Sequence, residues 1–204
     1  MKSVILLSGG LDSSVLLAHI RNTIGGYIHA ISVDYGQRHR RELWSAFQIA
    51  RFYGATHEVI TLPSMLMFGS SLTGNPGKME GVPTIIPGRN LILLSLATAA
   101  ASRFGANTVH VACNADDRVV YPDCRAEFLA DVSKVTQFAY GISVEFLFVS
   151  LSKREIVSLG RSLRVPFDMT WSCYDPQNQE SSKPASGVPC GKCGACILRA
   201  ESLS

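Results

Sequence analysis

The sequence lacks a long hydrophobic run, a strong net charge and the two common glycine-rich nucleotide loops. Its longest apolar stretch, from Leu91 to Ala101, is far shorter than the roughly 20 residues of a membrane helix. The net charge of +3 is too small to indicate a large surface for nucleic acid or anionic lipid. Neither Gly-x-x-x-x-Gly-Lys-Ser/Thr nor Gly-x-Gly-x-x-Gly occurs. We therefore expect no membrane association, no stable nucleic-acid partner and neither of those two nucleotide-binding folds.

A secretory signal is also missing from the start of the sequence. Met1-Lys2-Ser3 leads directly into an apolar run, without a separate hydrophobic region or a cleavage site. We therefore expect a cytoplasmic protein, whose thiols stay reduced. Six cysteines in such a compartment are more typical of metal ligands than of disulfides.

Short apolar segments alternate with helical patterns through the first 165 residues, which predicts an α/β fold. Five of these segments predict buried strands: 4–7, 28–33, 57–62, 109–113 and 144–149. Their alternation with helices indicates a doubly wound, mostly parallel five-stranded sheet with ligands at the carboxyl ends of the strands. We divide the chain into a domain over 1–165 and a C-terminal segment over 166–204. Residues 63–87, rich in Gly, Pro, Ser and Met, predict a long loop of the kind that often forms a lid.

Ser8-Gly9-Gly10-Leu11-Asp12-Ser13-Ser14 joins the first predicted strand to the first predicted helix. Glycines let backbone amides approach an anion, and the amides and dipole of a helix N-terminus favour phosphate. Asp12 can hold Mg²⁺ against the phosphates, and Asp12 or Ser13 can cap the helix. The alternative is a strand-to-helix turn that binds nothing. The expected nucleotide contacts are Leu7, Ser8, Gly9, Gly10, Leu11, Asp12, Ser13, Ser14, Val15, Leu16 and Leu17.

Four cysteines near the end of the chain have the number and spacing of a metal site. Cys190, Cys193 and Cys196 lie three residues apart, with Cys173 upstream, and four thiolates can close a tetrahedral Zn²⁺ site. An iron–sulfur cluster is the weaker alternative, because no Cys-Pro follows the triplet. A third alternative is that these four cysteines bind no metal and only pack. A site with four sulfur ligands would be structural, since it leaves no open position for catalysis.

Six motifs together resemble the 7-cyano-7-deazaguanine synthase family, within the superfamily of N-type ATP pyrophosphatases with its adenine nucleotide α-hydrolase-like fold. In chain order they are Ser8-Gly9-Gly10-Leu11-Asp12-Ser13, Asp34-Tyr35-Gly36-Gln37-Arg38-His39, Pro87-Gly88-Arg89-Asn90, Tyr121-Pro122-Asp123-Cys124-Arg125, Thr170-Trp171-Ser172-Cys173-Tyr174 and Cys190-Gly191-Lys192-Cys193-Gly194-Ala195-Cys196-Ile197-Leu198-Arg199. The resemblance covers nearly the whole chain.

The resemblance implies an enzyme that uses ATP and ammonia to turn 7-carboxy-7-deazaguanine into its nitrile through an adenylated carboxylate and an adenylated amide. It also implies bound Mg²⁺ and Zn²⁺ and a homodimer. Carried over by position, Asp12, Arg38 and Arg89 are the catalytic candidates. Lys153 either reaches the site or simply stands in the first turn of its helix. The candidates for contact with the deazaguanine are Asp34, Tyr121, Asp123 and Arg125.

Several alternatives stay open at this level. Asp123 is as well placed to cap a following helix as to bind substrate. Val119-Val120 stands where the family usually has Ser-Gly, next to the expected base pocket. The competing functions are a related adenylating enzyme that acts on tRNA or on a protein, and a zinc-containing binding module without catalysis.

Overall fold

The computed structural model describes residues 1–62, 85–178, 180, 183 and 185–204. Strands and helices alternate along these residues, as the sequence predicts. The strands are β1 (Lys2–Leu6), β2 (Tyr27–Asp34), β3 (Thr56–Thr61), β4 (Thr108–His110) and β5 (Ser143–Glu145). The α-helices are α1 (Leu11–Thr23), α2 (Arg41–Phe52), α3 (Arg89–Phe104), α4 (Asp117–Val120), α5 (Ala126–Tyr140), α6 (Lys153–Ser162) and α7 (Gly194–Leu203).

The five strands form one sheet in the order β3-β2-β1-β4-β5, and every pairing is parallel. This confirms the predicted doubly wound sheet. Chain order reverses direction between β1 and β4, and the loops that leave neighbouring strands diverge at such a point. The resulting crevice at the carboxyl ends of the strands is the usual ligand site of these folds.

Helices cover both faces of the sheet because both faces are apolar. One face packs against α1, α2 and α6 through side chains such as Leu16, Ile49 and Ile156, each with no solvent exposure. The other face packs against α3 and α5, where Leu94 and Leu129 are equally buried. A parallel sheet buried on both sides explains why its strands read as apolar runs rather than as alternating patterns.

Helix ends correct two predictions. Ser152 and Glu155 form a capping box at the start of α6, but the two helix starts predicted to be capped differ from expectation. Neither Asp12 nor Ser13 caps α1, because Gly10 occupies the N-cap position and both residues lie inside the first turn. Asp123 does not cap the helix that follows it, because it lies in a short 3₁₀ helix over Pro122–Cys124 and α5 begins only after Arg125.

Two further sequence predictions concern a loop and membrane association. The loop predicted over 63–87 lies outside the described residues except for its last three. Among the described helices, none combines the length and the apolar character needed to span a bilayer.

Candidate active site

The loop after β1 has the shape that its glycines predict, and α2 packs directly on it. Gly9 adopts a φ of +80°. A Cβ at this position would lie 2.2 Å from the carbonyl oxygen of Glu42 and 2.5 Å from the backbone nitrogen of Ala46. The Gly9 carbonyl accepts a hydrogen bond from the backbone N–H of Trp171 at 2.8 Å. The loop is therefore fixed from two sides, by α2 and by the C-terminal segment.

Three serine hydroxyls connect the loop to the first turn of α1 through hydrogen bonds. Ser13 Oγ lies 3.0 Å from Ser8 Oγ and accepts the Ser8 N–H at 3.3 Å, while Ser14 Oγ donates to the Gly10 carbonyl at 2.7 Å. The first N–H groups of a helix have no carbonyl partner within it. The N-terminus of α1 thus offers amides and hydroxyls at the crevice between β1 and β4, which is a suitable cradle for phosphate.

Asp12 stands in this first turn and links it to the loop after β4. Its Oδ2 accepts from Lys153 Nζ at 2.9 Å and from Asn114 Nδ2 at 3.1 Å. Its Oδ1 is buried and has no hydrogen-bond partner among the described residues. A buried carboxylate oxygen without a partner is costly, so this atom fits a ligand such as Mg²⁺.

Asn114 and two neighbouring carboxylates complete the environment of Asp12. Asn114 is fully buried, and its Oδ1 accepts the N–H groups of Asp116 and Asp117, each at 2.9 Å. Burial, with the nearby Asp12 carboxylate, raises the pKa of Asp117 to about 6. Burial alone would lower the pKa of Lys153, but Asp12 and its acidic neighbours outweigh this effect and raise the pKa. Lys153 therefore stays charged beside the phosphate cradle.

Arg89 lies at the other end of the crevice, among tyrosines. It begins α3, and its guanidinium carbon lies 6.0 Å from the ring centre of Tyr121. Burial raises the pKa values of Tyr35 and Tyr174, so both phenols stay neutral. Burial alone would lower the pKa of Arg89, but the oxygens of Tyr35, Tyr174 and Asp123 outweigh it. The result is a fixed positive charge surrounded by aromatic rings, which suits a planar anionic substrate.

The segment after β2 is held mainly by its own polar side chains. The buried Asp34 carboxylate accepts the Gly36 N–H at 3.1 Å and pairs with Arg40. His39 is buried and lies 3.2 Å from Glu42 through Nε2. Arg38 Nη1 lies 3.5 Å from Asp175 Oδ1, which is a long contact to the C-terminal segment.

The Tyr-Pro-Asp-Cys-Arg motif contacts the start of α3. Asp123 Oδ2 accepts the Asn90 backbone N–H at 3.2 Å, and Asn90 Nδ2 donates to both the Asp123 carbonyl and Cys124 Sγ at 3.2 Å. Arg125 is exposed at the N-cap of α5. Of the predicted substrate residues in this motif, Tyr121 and Asp123 both lie near Arg89, and Asp123 also binds the start of α3, whereas Arg125 faces solvent.

The four predicted cysteine ligands come together in the C-terminal segment. The sulfurs of Cys173, Cys190, Cys193 and Cys196 all lie within 4.8 Å of one another. Four sulfurs around Zn²⁺ at about 2.3 Å would lie about 3.8 Å apart, so the group fits a tetrahedral ion. Cys173 Sγ accepts the Cys190 N–H at 3.3 Å and the Asp175 N–H at 3.4 Å. Such N–H donors stabilise thiolates, which are the form that binds metal.

The cysteine cluster is tied to the loop after β1 through its own neighbours. Trp171 donates its ring N–H to the Cys173 carbonyl at 2.9 Å, while its backbone N–H holds Gly9. Arg199 of α7 donates to Thr170 Oγ1 at 2.7 Å. A structural metal at this position would therefore stabilise the segment that braces the loop.

The structure adds site residues to which the sequence analysis assigned no role. Asn114 and Asp117 join the Asp12 network, and Tyr35 and Tyr174 join the Arg89 cluster. Tyr35 and Tyr174 stand in two of the six motifs that carry the resemblance, and Asn114 lies in the loop after β4, so these were the signals that the sequence offered. Tyr174 follows no strand, and only the folding of the C-terminal segment brings it to the crevice.

Comparisons with known proteins agree along the whole chain. The model of a family described as "Queuosine biosynthesis protein QueC" matches residues 2–204. A Leptospira interrogans protein named 7-cyano-7-deazaguanine synthase is 41% identical over 217 residues, which cover 99% of this chain and 86% of that protein. An Archaeoglobus fulgidus protein of the same name is 38% identical over 221 residues, covering 100% of this chain and 86% of that protein.

Solved structures show the same fold at low sequence identity. The U34-tRNA thiolase NcsA from Methanococcus maripaludis, solved with its 4Fe-4S cluster, superimposes with a TM-score of 0.56 at 17% identity. The match covers 100% of this chain and 64% of that chain. At this identity the likeness concerns the fold alone, and it confirms the predicted adenine nucleotide α-hydrolase type.

Proposed function

Because this chain belongs to the family of the queuosine biosynthesis protein QueC, we propose that it is an ATP-dependent ligase that converts 7-carboxy-7-deazaguanine and ammonia to 7-cyano-7-deazaguanine. The observation that carries the proposal is the environment of Asp12. A buried carboxylate oxygen, without a hydrogen-bond partner among the described residues, lies in the first turn of α1, where the loop offers its amides and hydroxyls. That combination supports binding of the phosphates of ATP together with Mg²⁺.

The proposed chemistry solves the problem that a carboxylate is a poor electrophile. A carboxylate oxygen attacks the α-phosphorus of ATP, so that pyrophosphate leaves and an acyl adenylate forms. Ammonia attacks the acyl carbon, AMP leaves, and the nitrogen loses a proton to give the amide. The amide oxygen then attacks the α-phosphorus of a second ATP, again with loss of pyrophosphate. Departure of AMP and of the remaining N–H protons yields the nitrile. Both activations would use the same residues that bind ATP, so one site can perform both steps.

The described residues would bind ATP at one end of the crevice and the substrate at the other. At the β1 end, the first turn of α1 would bind the ATP phosphates, with Lys153 adding a positive charge. At the α3 end, Arg89 would neutralise the substrate carboxylate or the charge that develops at phosphorus. Tyr121 offers a ring for stacking, and Asp34 and Arg38 remain candidates for the nucleotide or the base.

Two metals complete the proposal. Asp12 would hold Mg²⁺, which neutralises the phosphates and favours departure of pyrophosphate. Cys173, Cys190, Cys193 and Cys196 would hold a structural Zn²⁺, because four sulfurs leave no open position. Zinc is preferred over an iron–sulfur cluster for the reason given by the sequence, namely that no Cys-Pro follows the triplet.

A substrate-dependence assay tests this function. Purified protein is incubated with ATP and Mg²⁺, with and without 7-carboxy-7-deazaguanine and ammonium, and the products are analysed by mass spectrometry. We expect AMP, pyrophosphate and nitrile only when both co-substrates are present. The Asp12→Asn variant keeps the size of the side chain and should lose activity by at least about 100-fold.

Other outcomes would point elsewhere. ATP turnover that requires tRNA instead of the deazaguanine would support the thiolation alternative. Absence of ATP binding, measured by calorimetry, would support a binding module without catalysis. Amide as the final product would limit the function to the first activation.

A further inference from the structure

The helix that carries Arg89 begins without a cap of its own. Its N-cap is Gly88, which has no side chain, and its first turn contains no acidic residue. Arg89 then places a positive charge at the positive end of the helix dipole, which is unfavourable. A helix start of this kind needs a hydrogen-bond acceptor and a negative charge from elsewhere.

Asp123 supplies both from a different part of the chain. Its Oδ2 accepts the N–H of Asn90, the second residue of α3 and a position that an N-cap side chain normally satisfies. Asn90 Nδ2 returns two contacts, to the Asp123 carbonyl and to Cys124 Sγ. The contacts join residues 33 and 34 positions apart, so they bind the start of α3 to the Tyr-Pro-Asp-Cys-Arg motif.

The same carboxylate acts on the charge of Arg89. Asp123 is one of the groups that raise the pKa of Arg89, together with Tyr35 and Tyr174. Arg89 is the residue before Asn90, so a shift of the first turn of α3 changes the position of its guanidinium relative to the Tyr121 ring.

We propose that Asp123 is a positioning residue, which acts on the reaction through Arg89 by capping α3 from another segment rather than by contact with the substrate. Only the kinetic part of this proposal rests on the function proposed above. The cap itself can be tested without any substrate.

The first experiment measures the cap in the free protein. Amide hydrogen exchange of Asn90 should be protected in the wild type and in Asp123→Asn, whose amide oxygen can still accept, and should become fast in Asp123→Ala. The melting temperature should fall by about 2–6 °C in Asp123→Ala and by less in Asp123→Asn. The matched control is Asp131→Ala, which removes an exposed carboxylate from α5 and should change neither value. Unchanged protection of Asn90 in Asp123→Ala would overturn the proposal.

The second experiment separates positioning from substrate binding. In Asp123→Ala we expect kcat to fall by about 10–100-fold with little change in the KM for 7-carboxy-7-deazaguanine, and Asp123→Asn should recover most of the loss. In an Arg89→Ala background, Asp123→Ala should add almost no further loss, because the residue through which it acts is gone. A large rise in KM in both Asp123 variants, additive with Arg89→Ala, would show direct substrate contact and overturn the proposal. A wild type without synthase activity would refute the proposed function and leave the exchange experiment to decide the cap.

Discussion

Replacement of Gly9 by alanine is the most direct test of how the loop after β1 is packed. A Cβ on Gly9 would overlap the backbone of α2, 2.2 Å from the Glu42 carbonyl oxygen and 2.5 Å from the Ala46 nitrogen. Neither atom belongs to a flexible side chain, so the helix or the loop must move. The overlap should cost about 1–3 kcal/mol, and the φ of +80° should add about 1–2 kcal/mol.

The free energy of unfolding should therefore fall by about 2–5 kcal/mol, a large part of the roughly 5–15 kcal/mol typical of a folded domain. Urea denaturation measures this loss as a drop of about 1–2 M in the midpoint. Gly54→Ala is the matched control, because Gly54 has a φ of +62° but no atom of another described residue lies within 4 Å of its would-be Cβ. The control should lose only about 1 kcal/mol. Equal losses in the two variants would refute the close packing of α2 on the loop.

Two further predictions concern the metal site and a buried histidine. Metal analysis should find about one Zn²⁺ per chain. The Cys193→Ser variant should lose this ion and expose the C-terminal segment to protease, whereas the control variant Cys113→Ser should keep it. Full metal content in Cys193→Ser would contradict the assignment. His110 is buried with both ring nitrogens unpartnered among the described residues, and burial lowers its pKa to about 4. The pKa of His110 in the unfolded chain is near 6.5, so between pH 6.5 and 4 the folded state binds fewer protons than the unfolded state. The contribution of His110 to the free energy of unfolding is therefore fully present above pH 6.5, and about 3 kcal/mol of it is lost as the pH falls towards 4. His110→Gln should flatten that part of the pH profile of the melting temperature, and an unchanged profile would show that other groups cause the acid loss.

The sequence alone determined the class of the fold and the chemistry of its two clearest motifs. Apolar segments alternating with helical patterns require a parallel sheet covered on both faces, so the strand assignments depended only on local composition. The four cysteines could be recognised because a metal site needs particular ligands at close spacing, and they meet as expected. The loop over Ser8 to Ser14 could also be recognised from local sequence, because the strand, the glycine turn and the helix N-terminus follow one another along the chain.

Tertiary structure decided everything that depends on contacts between distant segments. The sequence left Asp123 open between a cap for the following helix and a substrate ligand, whereas in the structure its carboxylate accepts the Asn90 N–H at the start of α3. The direction in which a side chain points across the crevice is not encoded by its neighbours in sequence. Asn114 joins Asp12 only because the order β3-β2-β1-β4-β5 places β4 beside β1. Trp171 holds Gly9 only because the C-terminal segment folds back onto the loop. Local sequence selects which groups are available, and packing selects which of them meet.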